Sequence, residues 1–477
     1  MLTPLIDRIE SLTKRARTDL TSGSIPRGVL TLAVPMIVSQ TLHSVQSLID
    51  MFFVGKLGAA SMAAVGMSGA VLWILITAFI GINVATVAMV SRAIGAGDSR
   101  RACHAAGQAL LLTAVLSAVV GAAGYLSAPR LLEFLGARPD VAELGTGYLH
   151  IVFAGTFVLT AMFIIGAVFQ GTGDTVTPLI LGIITTVCNL ILNPIMIFGL
   201  LGFPALGVRG SALATVIART VAFAAGLAII MRGRLHITFR DMVPDLRTIW
   251  TLIAIGVPGA LQMGLRAVMN LALMTIVAQF GTITVAAYTV GLRMRMLGLL
   301  PSFSFGAASA TMVGQNLGAE RPDRSQKSAF VAAGMALAAA ALAASVFIIF
   351  APHLMKLFND DPGVVAVGTR FLRVTSVVLV TASFAIVLGR AMSGAGDTIS
   401  PMVITLVMLW GFQIPAAVYL SGVEKLWMIP IPFRDLFAGI ATGNENGVWY
   451  AMVATSVLQA ALTAAWFLRG KWRYKKV

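Results

Sequence analysis

The chain has 477 residues, of which 58% are hydrophobic and 11% charged. A soluble domain carries about 25% charged residues, so water is excluded as the main solvent, and only two cysteines, Cys103 and Cys188 in apolar runs, exclude a disulfide scaffold. The formal net charge of +15 would suit nucleic acid, but the basic residues are spread over separate short loops rather than gathered on one face, which excludes that partner too.

Residues 1–29 are polar and basic and lack the apolar core of a cleaved signal. Leu2, Leu5, Ile6, Ile9 and Leu12 recur there at helical spacing, which fits either an amphipathic helix on the membrane surface or an unstructured tail. Twelve apolar runs follow, near 30–55, 63–90, 103–127, 144–170, 178–200, 210–232, 249–279, 285–313, 328–350, 365–392, 400–421 and 447–468. We number them spans 1 to 12. A spanning helix needs about 20 apolar residues, whereas barrel strands alternate polar and apolar over about 10. The expected fold is therefore an all-α integral membrane protein of twelve transmembrane helices.

Lys and Arg in the loops predict the orientation. Twenty lie on one side: five in the N-terminal segment, three after span 2, four after span 6, three after span 8 and five in the tail. The opposite loops carry seven. Both termini are expected to be cytoplasmic, in a multi-pass protein of the bacterial inner (plasma) membrane.

Internal repeats are sought early because they set the architecture, and one is visible at a constant offset. Pro35 matches Pro258, Gly58 matches Gly281, Gly95-Ala96 matches Gly318-Ala319, and QGTGDTVTP at 170–178 matches SGAGDTISP at 393–401, every pair 223 apart. LGVRGSALAT (206–215) resembles NGVWYAMVAT (446–455) at an offset of 240. The expected organisation is an N-lobe at 30–232, a cytoplasmic linker at 233–248, a C-lobe at 249–468 and a basic tail at 469–477. The extra residues of the second half fall in 422–446, where Trp427, Pro430, Pro432, Phe433 and Phe437 suggest an outer interfacial segment. Parallel six-helix repeats suit alternating access around a central cavity. Pro35 and Pro258, early in spans 1 and 7, each remove a backbone hydrogen bond and are the expected hinges.

The order Pro35, then DMFFVGKLG (50–58), IGAGD, GTGDTVTP and NLILNPIMIFG, with GQNLGA (314–319) and GAGDT (394–398) in the second half, resembles the multidrug and toxic compound extrusion (MATE) family over about residues 27–470. Its details look closer to the DinF-like than to the NorM-like branch. The resemblance implies two pseudo-symmetric six-helix lobes in a V shape, and export coupled to an inward proton or sodium gradient. The Gly-rich turns also have a reading of their own. Gly171, Gly173, Gly394 and Gly396 allow very tight connections, while Asp174 and Asp397 can cap the next helix. A phosphate-binding loop is disfavoured, since no strand precedes these turns and no Lys follows.

One acid stands in mid-span, Asp50, and an intramembrane carboxylate is a functional candidate by default. It can take a proton from one side and release it when water returns on the other. Ser39, His43, Gln46 and Asp50 stripe one face of span 1, with Gln40 beside them, and Gln262, Arg266 and Asn270 form the counterpart on span 7. The family's N-lobe ion site maps in part: Asn189, Asn193 and Ser211 join Asp50 and His43, but LNP at 192–194 replaces an expected LDP, so one charge is lost. That favours proton over sodium coupling, with an oxygen-ligand sodium site as the alternative. Where NorM-like members carry a Glu in span 7, this chain carries Arg266, and Arg293-Met-Arg295 stands in place of an Arg-x-Glu. Arg266 and Arg390 inside the spans point to anionic or zwitterionic substrates, or to a pairing of Arg266 with Asp50 in one state. The substrate-binding candidates are thus Gln40, Gln46, Gln262, Arg266, Asn270 and Arg390.

The expected function is proton-coupled antiport of amphipathic small molecules. A flippase for lipid-linked precursors is the alternative, and an enzyme is not expected: no HExxH metal spacing and no nucleophile–base set is recognisable. The chain has no GxxxxGK[ST] motif, so ATP is not expected, and neither is any cofactor or metal beyond the coupling ion. The expected partners are the substrate and the bilayer, with the protein a monomer.

Overall fold

The computed structural model describes residues 20–232, 237–423, 425–426, 429–430 and 442–475. The expected surface helix within 1–19, the middle of the linker (233–236), most of the interfacial segment 422–446 and the last two tail residues lie outside the described residues. All twelve apolar runs are helical. Spans 1 to 6 are Ile25–Gly55, Ala59–Gly95, Ser99–Phe134, Pro139–Ala154 with Thr156–Thr172, Val176–Phe198 and Val208–Arg232. Spans 7 to 12 are Leu246–Ala278, Thr282–Gly318, Pro322–Lys356, Pro362–Gly394, Ile399–Ser421 and Asn446–Leu468. The one sheet among the described residues is a two-residue antiparallel pair, Lys425–Leu426 with Ile429–Pro430. Pro35 and Pro258 lie inside unbroken helices.

Among the described residues, two spans depart from a single continuous α-helix, each for a local reason. Span 4 bends by 52° between its two helices. No proline marks the place; Gly155 does, because a Cβ there would lie 2.7 Å from Val216 Cγ2 of span 6. The repeat-related residue of span 10 is Val378, and its helix runs unbroken from Pro362 to Gly394. Span 11 contains a π-helical turn, Val407–Gln413, followed by Pro415. Proline lacks an N–H and crowds the carbonyl four residues back, and a π-turn shifts that register by one residue.

The helices group into two compact units, which do not divide at the linker. The first continues through span 7 as far as Ala260 and takes in Gly314–Arg321 from the end of span 8; the second comprises Leu261–Val313 and the chain from Pro322. The core of the first is built of small and branched side chains from spans 2, 3, 4 and 6, among them Ala85, Ala106, Ile164, Ile165 and Ile229. That of the second is aromatic. Tyr288 stacks on Trp449 with ring centroids 5.4 Å apart, and Phe371 meets both rings edge-on. Such pairs add about 0.5–1.5 kcal/mol each beyond area burial.

Within the first unit, spans 2 and 8 cross at their basic ends in a contact that obeys the repeat. A Cβ on Gly95 would collide with the Gln315 carbonyl, and one on Gly318 with the Arg92 carbonyl; both pairs are 223 apart. Gln315 Nε2 also donates to the Gly171 carbonyl at 2.9 Å. The linker is clamped to span 3 nearby. Gln108 donates to the carbonyls of Asp241 and Val243 and accepts from the Asp245 N–H, while His104 lies 3.1 Å from the Asp245 carboxylate. Bonds from the Thr248 hydroxyl and then His104 hold the Asp245 carboxyl down to about 2.

Candidate functional site

The polar centre of the first unit is assembled by four helices. Asp50 of span 1 accepts a 2.6 Å hydrogen bond from Asn193 Nδ2 of span 5. Asn193 Nδ2 also donates to Asn189 Oδ1 at 3.0 Å, and Asn189 Nδ2 donates to Thr215 Oγ1 of span 6 at 3.2 Å. Both asparagines are fully buried, and Asn193 Oδ1 has no hydrogen-bond partner among the described residues. Arg219, one turn beyond Thr215, lies within electrostatic reach of Asp50, of His43 on span 1 and of Tyr148 on span 4. Its guanidinium also sits 5.8 Å from the Phe163 ring centroid. A buried charge must be paired or hydrogen-bonded to persist, and Asp50 has both a short amide bond and a neighbouring cation.

The expected site residues thus separate. Asp50, Asn189 and Asn193 are bonded into one chain, and His43, exposed, shares the field of Arg219. Ser211 is buried on the same face of span 6 as Thr215 and Arg219, yet no described hydrogen bond ties it to the cluster. Thr215, Arg219 and Tyr148 are not among the site residues expected from the sequence. The spacing 211, 215, 219 was a signal that could have found two of them, since one polar face continues over three turns. Gln40 is exposed, whereas Gln46 is buried and accepts from the Thr186 hydroxyl at 3.5 Å.

In the second unit the equivalent helices meet differently. Both amide hydrogens of Gln262 go to span 11, to the Pro401 carbonyl at 3.1 Å and Thr405 Oγ1 at 2.9 Å. Trp410 Nε1, inside the π-turn, donates to the Leu265 carbonyl at 3.3 Å. Arg266, next in sequence, shares its surroundings with Arg390 and Arg295, and Asn270 is exposed one turn on.

The two Gly-rich turns have matching geometry. Gly173 and Gly396 take φ +86° and +90°, a conformation that favours glycine. Gly171 and Gly394 instead permit close approach, to Val90 and Ser91 and to the Ala310 backbone respectively. Asp174 accepts from the N–H groups of Val176 and Thr177 and from the Thr177 hydroxyl; Asp397 does the same for Ser400 N–H and hydroxyl.

A family model, MatE, matches residues 35–195 and again 258–419, two segments whose starts are themselves 223 apart. The chain belongs to the MatE family. MatE proteins are transporters, not enzymes, and this one is a multi-pass membrane protein of two lobes. It is 28% identical over 415 residues to the probable multidrug resistance protein YoeA of Bacillus subtilis, covering 86% of this chain and 89% of that one. It is also 28% identical over 430 residues to a protein of Shewanella oneidensis named FAD transporter, covering 89% and 95%. A solved MOP superfamily transporter from Pyrococcus furiosus superposes with a TM-score of 0.83 at 23% identity, covering 96% and 98%.

Proposed function

We propose that this MatE protein is a secondary antiporter of the inner membrane that exports amphipathic small molecules in exchange for protons entering through Asp50. The relatives named for multidrug resistance support the export reading. The observation that carries the coupling is the Asp50–Asn193 bond in the field of Arg219. As a carboxylate, Asp50 only accepts, and Asn193 donates to it. Once protonated, it becomes a donor. The new O–H finds its acceptor in Asn193 Oδ1, the atom that has no partner here, when the amide turns over, and a turned amide releases Asn189. Proton uptake therefore rewires the tie between spans 1, 5 and 6, a two-arrangement element of the kind alternating access requires. The basic ends of the spans are taken to face the cytoplasm, and the protein to act as a monomer without ATP.

Sodium is the second reading, favoured by the same unpartnered Asn193 Oδ1 beside the oxygens of Asp50 and Asn189. Against it stands Arg219, which already supplies a positive charge and would repel another. In proteoliposomes carrying a pH gradient or a sodium gradient separately, dye export is expected to follow the pH gradient and to stop on adding a protonophore. Export by Asp50→Asn at the parental rate would sink the coupling mechanism. The substrate is proposed to be anionic or zwitterionic, in keeping with the arginines of the second unit and with a relative named for FAD.

A further inference from the structure

Three arginines of the second unit come together from three helices. Arg266 of span 7 is within electrostatic reach of both Arg390 of span 10 and Arg295 of span 8. All three are partly buried, and among the described residues none forms an ion pair with a carboxylate. Arg266 lies twelve residues before span 7 ends at Ala278, and Arg295 thirteen after span 8 begins at Thr282. At 1.5 Å per residue each is about 18–20 Å from that helix end, too deep for a side chain to snorkel out. Like charges so placed repel one another and are costly in a bilayer.

The surrounding structure holds them in place regardless. Gly306 leaves room for the stem of Arg390, whose Cγ would lie 3.1 Å from a Cβ at that position. Trp410 and Gln262 tie span 7 to span 11 through the turn that leads into Arg266. A second, independent feature points the same way. The Tyr288 hydroxyl is fully buried and has no hydrogen-bond partner among the described residues, and it lies in the field of Arg295. Its ring is locked by Phe371 and Trp449, so it cannot turn away to find one. Three guanidinium groups are donors without a carboxylate, and a ligand rich in acceptor oxygens completes them.

We propose that Arg266, Arg295 and Arg390 form an anion subsite that takes the phosphate ester of an amphipathic substrate. A carboxylate would return one negative charge to three positive ones. A phosphate monoester returns about −1.5 to −2 at pH 7, and its oxygens fit the planar fork of Arg, which explains why no Lys stands among the three. The proposal rests on the export reading only in calling the ligand a substrate; binding itself needs no gradient. A soluble organophosphate and a lipid phosphate headgroup share this chemistry.

The test is equilibrium binding to the full-length protein in nanodiscs of zwitterionic lipid, with fluorescently labelled adenosine diphosphate and fluorescently labelled lysophosphatidic acid as separate probes and ethidium as the cationic control. At least one phosphate probe is expected to bind. Arg266→Gln, Arg295→Gln and Arg390→Gln are each expected to weaken it about tenfold or more, with Arg373→Gln unchanged and ethidium binding not weakened by any of them. Binding of the lysolipid alone assigns a headgroup, and binding of the nucleotide alone a soluble ester; either supports the subsite. Without ligand, the Gln variants are expected to melt no lower than the parent, because they relieve repulsion, and to lose the rise in melting temperature that the probe gives the parent. Should a Gln variant not fold, the Lys variant at that position keeps the charge but loses the fork and is expected to bind about threefold more weakly. No binding of either phosphate probe by the parent, or equal binding by the variants, overturns the proposal. A parent that exports dye but binds neither phosphate probe removes only this subsite; a parent that binds the probe but does not export removes only the antiport reading.

Discussion

Spans 1 and 5 of the first unit and spans 7 and 11 of the second are related by the same offset, yet they are joined by opposite chemistry. Asp50, Asn189 and Asn193 tie the first pair through a carboxylate and two amides. Their repeat-related positions are Leu273, Phe412 and Ala416, all apolar. There the contact is made instead by Gln262 and by Trp410 from a π-turn. The charge of the second pair is positive and lies with Arg266. Duplication has thus preserved helix order and tight turns while the polar centres diverged. A backbone scaffold constrains where helices meet, and leaves the side chains at the meeting point free to take separate tasks.

That comparison can be broken most directly at Asp50. Asp50→Asn is expected to lower gradient-driven export at least about tenfold with folding intact, measured as dye efflux from proteoliposomes. A polar substitution at the related Leu273 is not expected to affect coupling, and a loss of similar size there would erase the distinction between the pairs. The Gly95 and Gly318 contact tests what the repeat preserved. Gly95→Ala and Gly318→Ala are each expected to cost about 1–3 kcal/mol by overpacking, and by nearly equal amounts, because each collides with the other's symmetry-related carbonyl. Melting curves in detergent that separate the two variants widely would show that the contact is not symmetric in energy.

Smaller effects sharpen the picture. Trp410→Phe keeps the ring and removes the bond to the Leu265 carbonyl, for an expected loss of about 1 kcal/mol, with the melting temperature falling accordingly. The smallest effect belongs to Asp245. Its folded carboxyl titrates near 2, below the ordinary 3.8. Its contribution is therefore fully present above pH 4 and fades as pH falls toward 2. Asp245→Asn is expected to speed proteolysis of the linker at neutral pH, and parent and variant should converge in acid. A difference that widens in acid would reverse the sign and discard the clamp.

Much of this was legible in order along the chain. The twelve helices follow from uninterrupted apolarity, and the Asp caps after Gly173 and Gly396 follow from residue type and spacing. Asp50 could be named because a carboxylate is conspicuous against an apolar run, and Asn189 and Asn193 because the family resemblance maps an ion site onto them. Thr215 and Tyr148 could not, since a single Thr or Tyr in a span is ordinary and only packing brings it to the others. The bend at Gly155 and the π-turn at Val407–Gln413 were likewise hidden.

The sequence by itself determined the solvent, the number of spans and the duplication, because each rests on one-dimensional quantities: hydropathy over about 20 residues and identity at a fixed offset. Only the tertiary structure decided which charges are neighbours. Asp50 and Arg219 are 169 positions apart, and Arg266, Arg295 and Arg390 stand on three different helices. Electrostatic energy depends on separation through space, and separation along the chain does not report it once helices pack side by side.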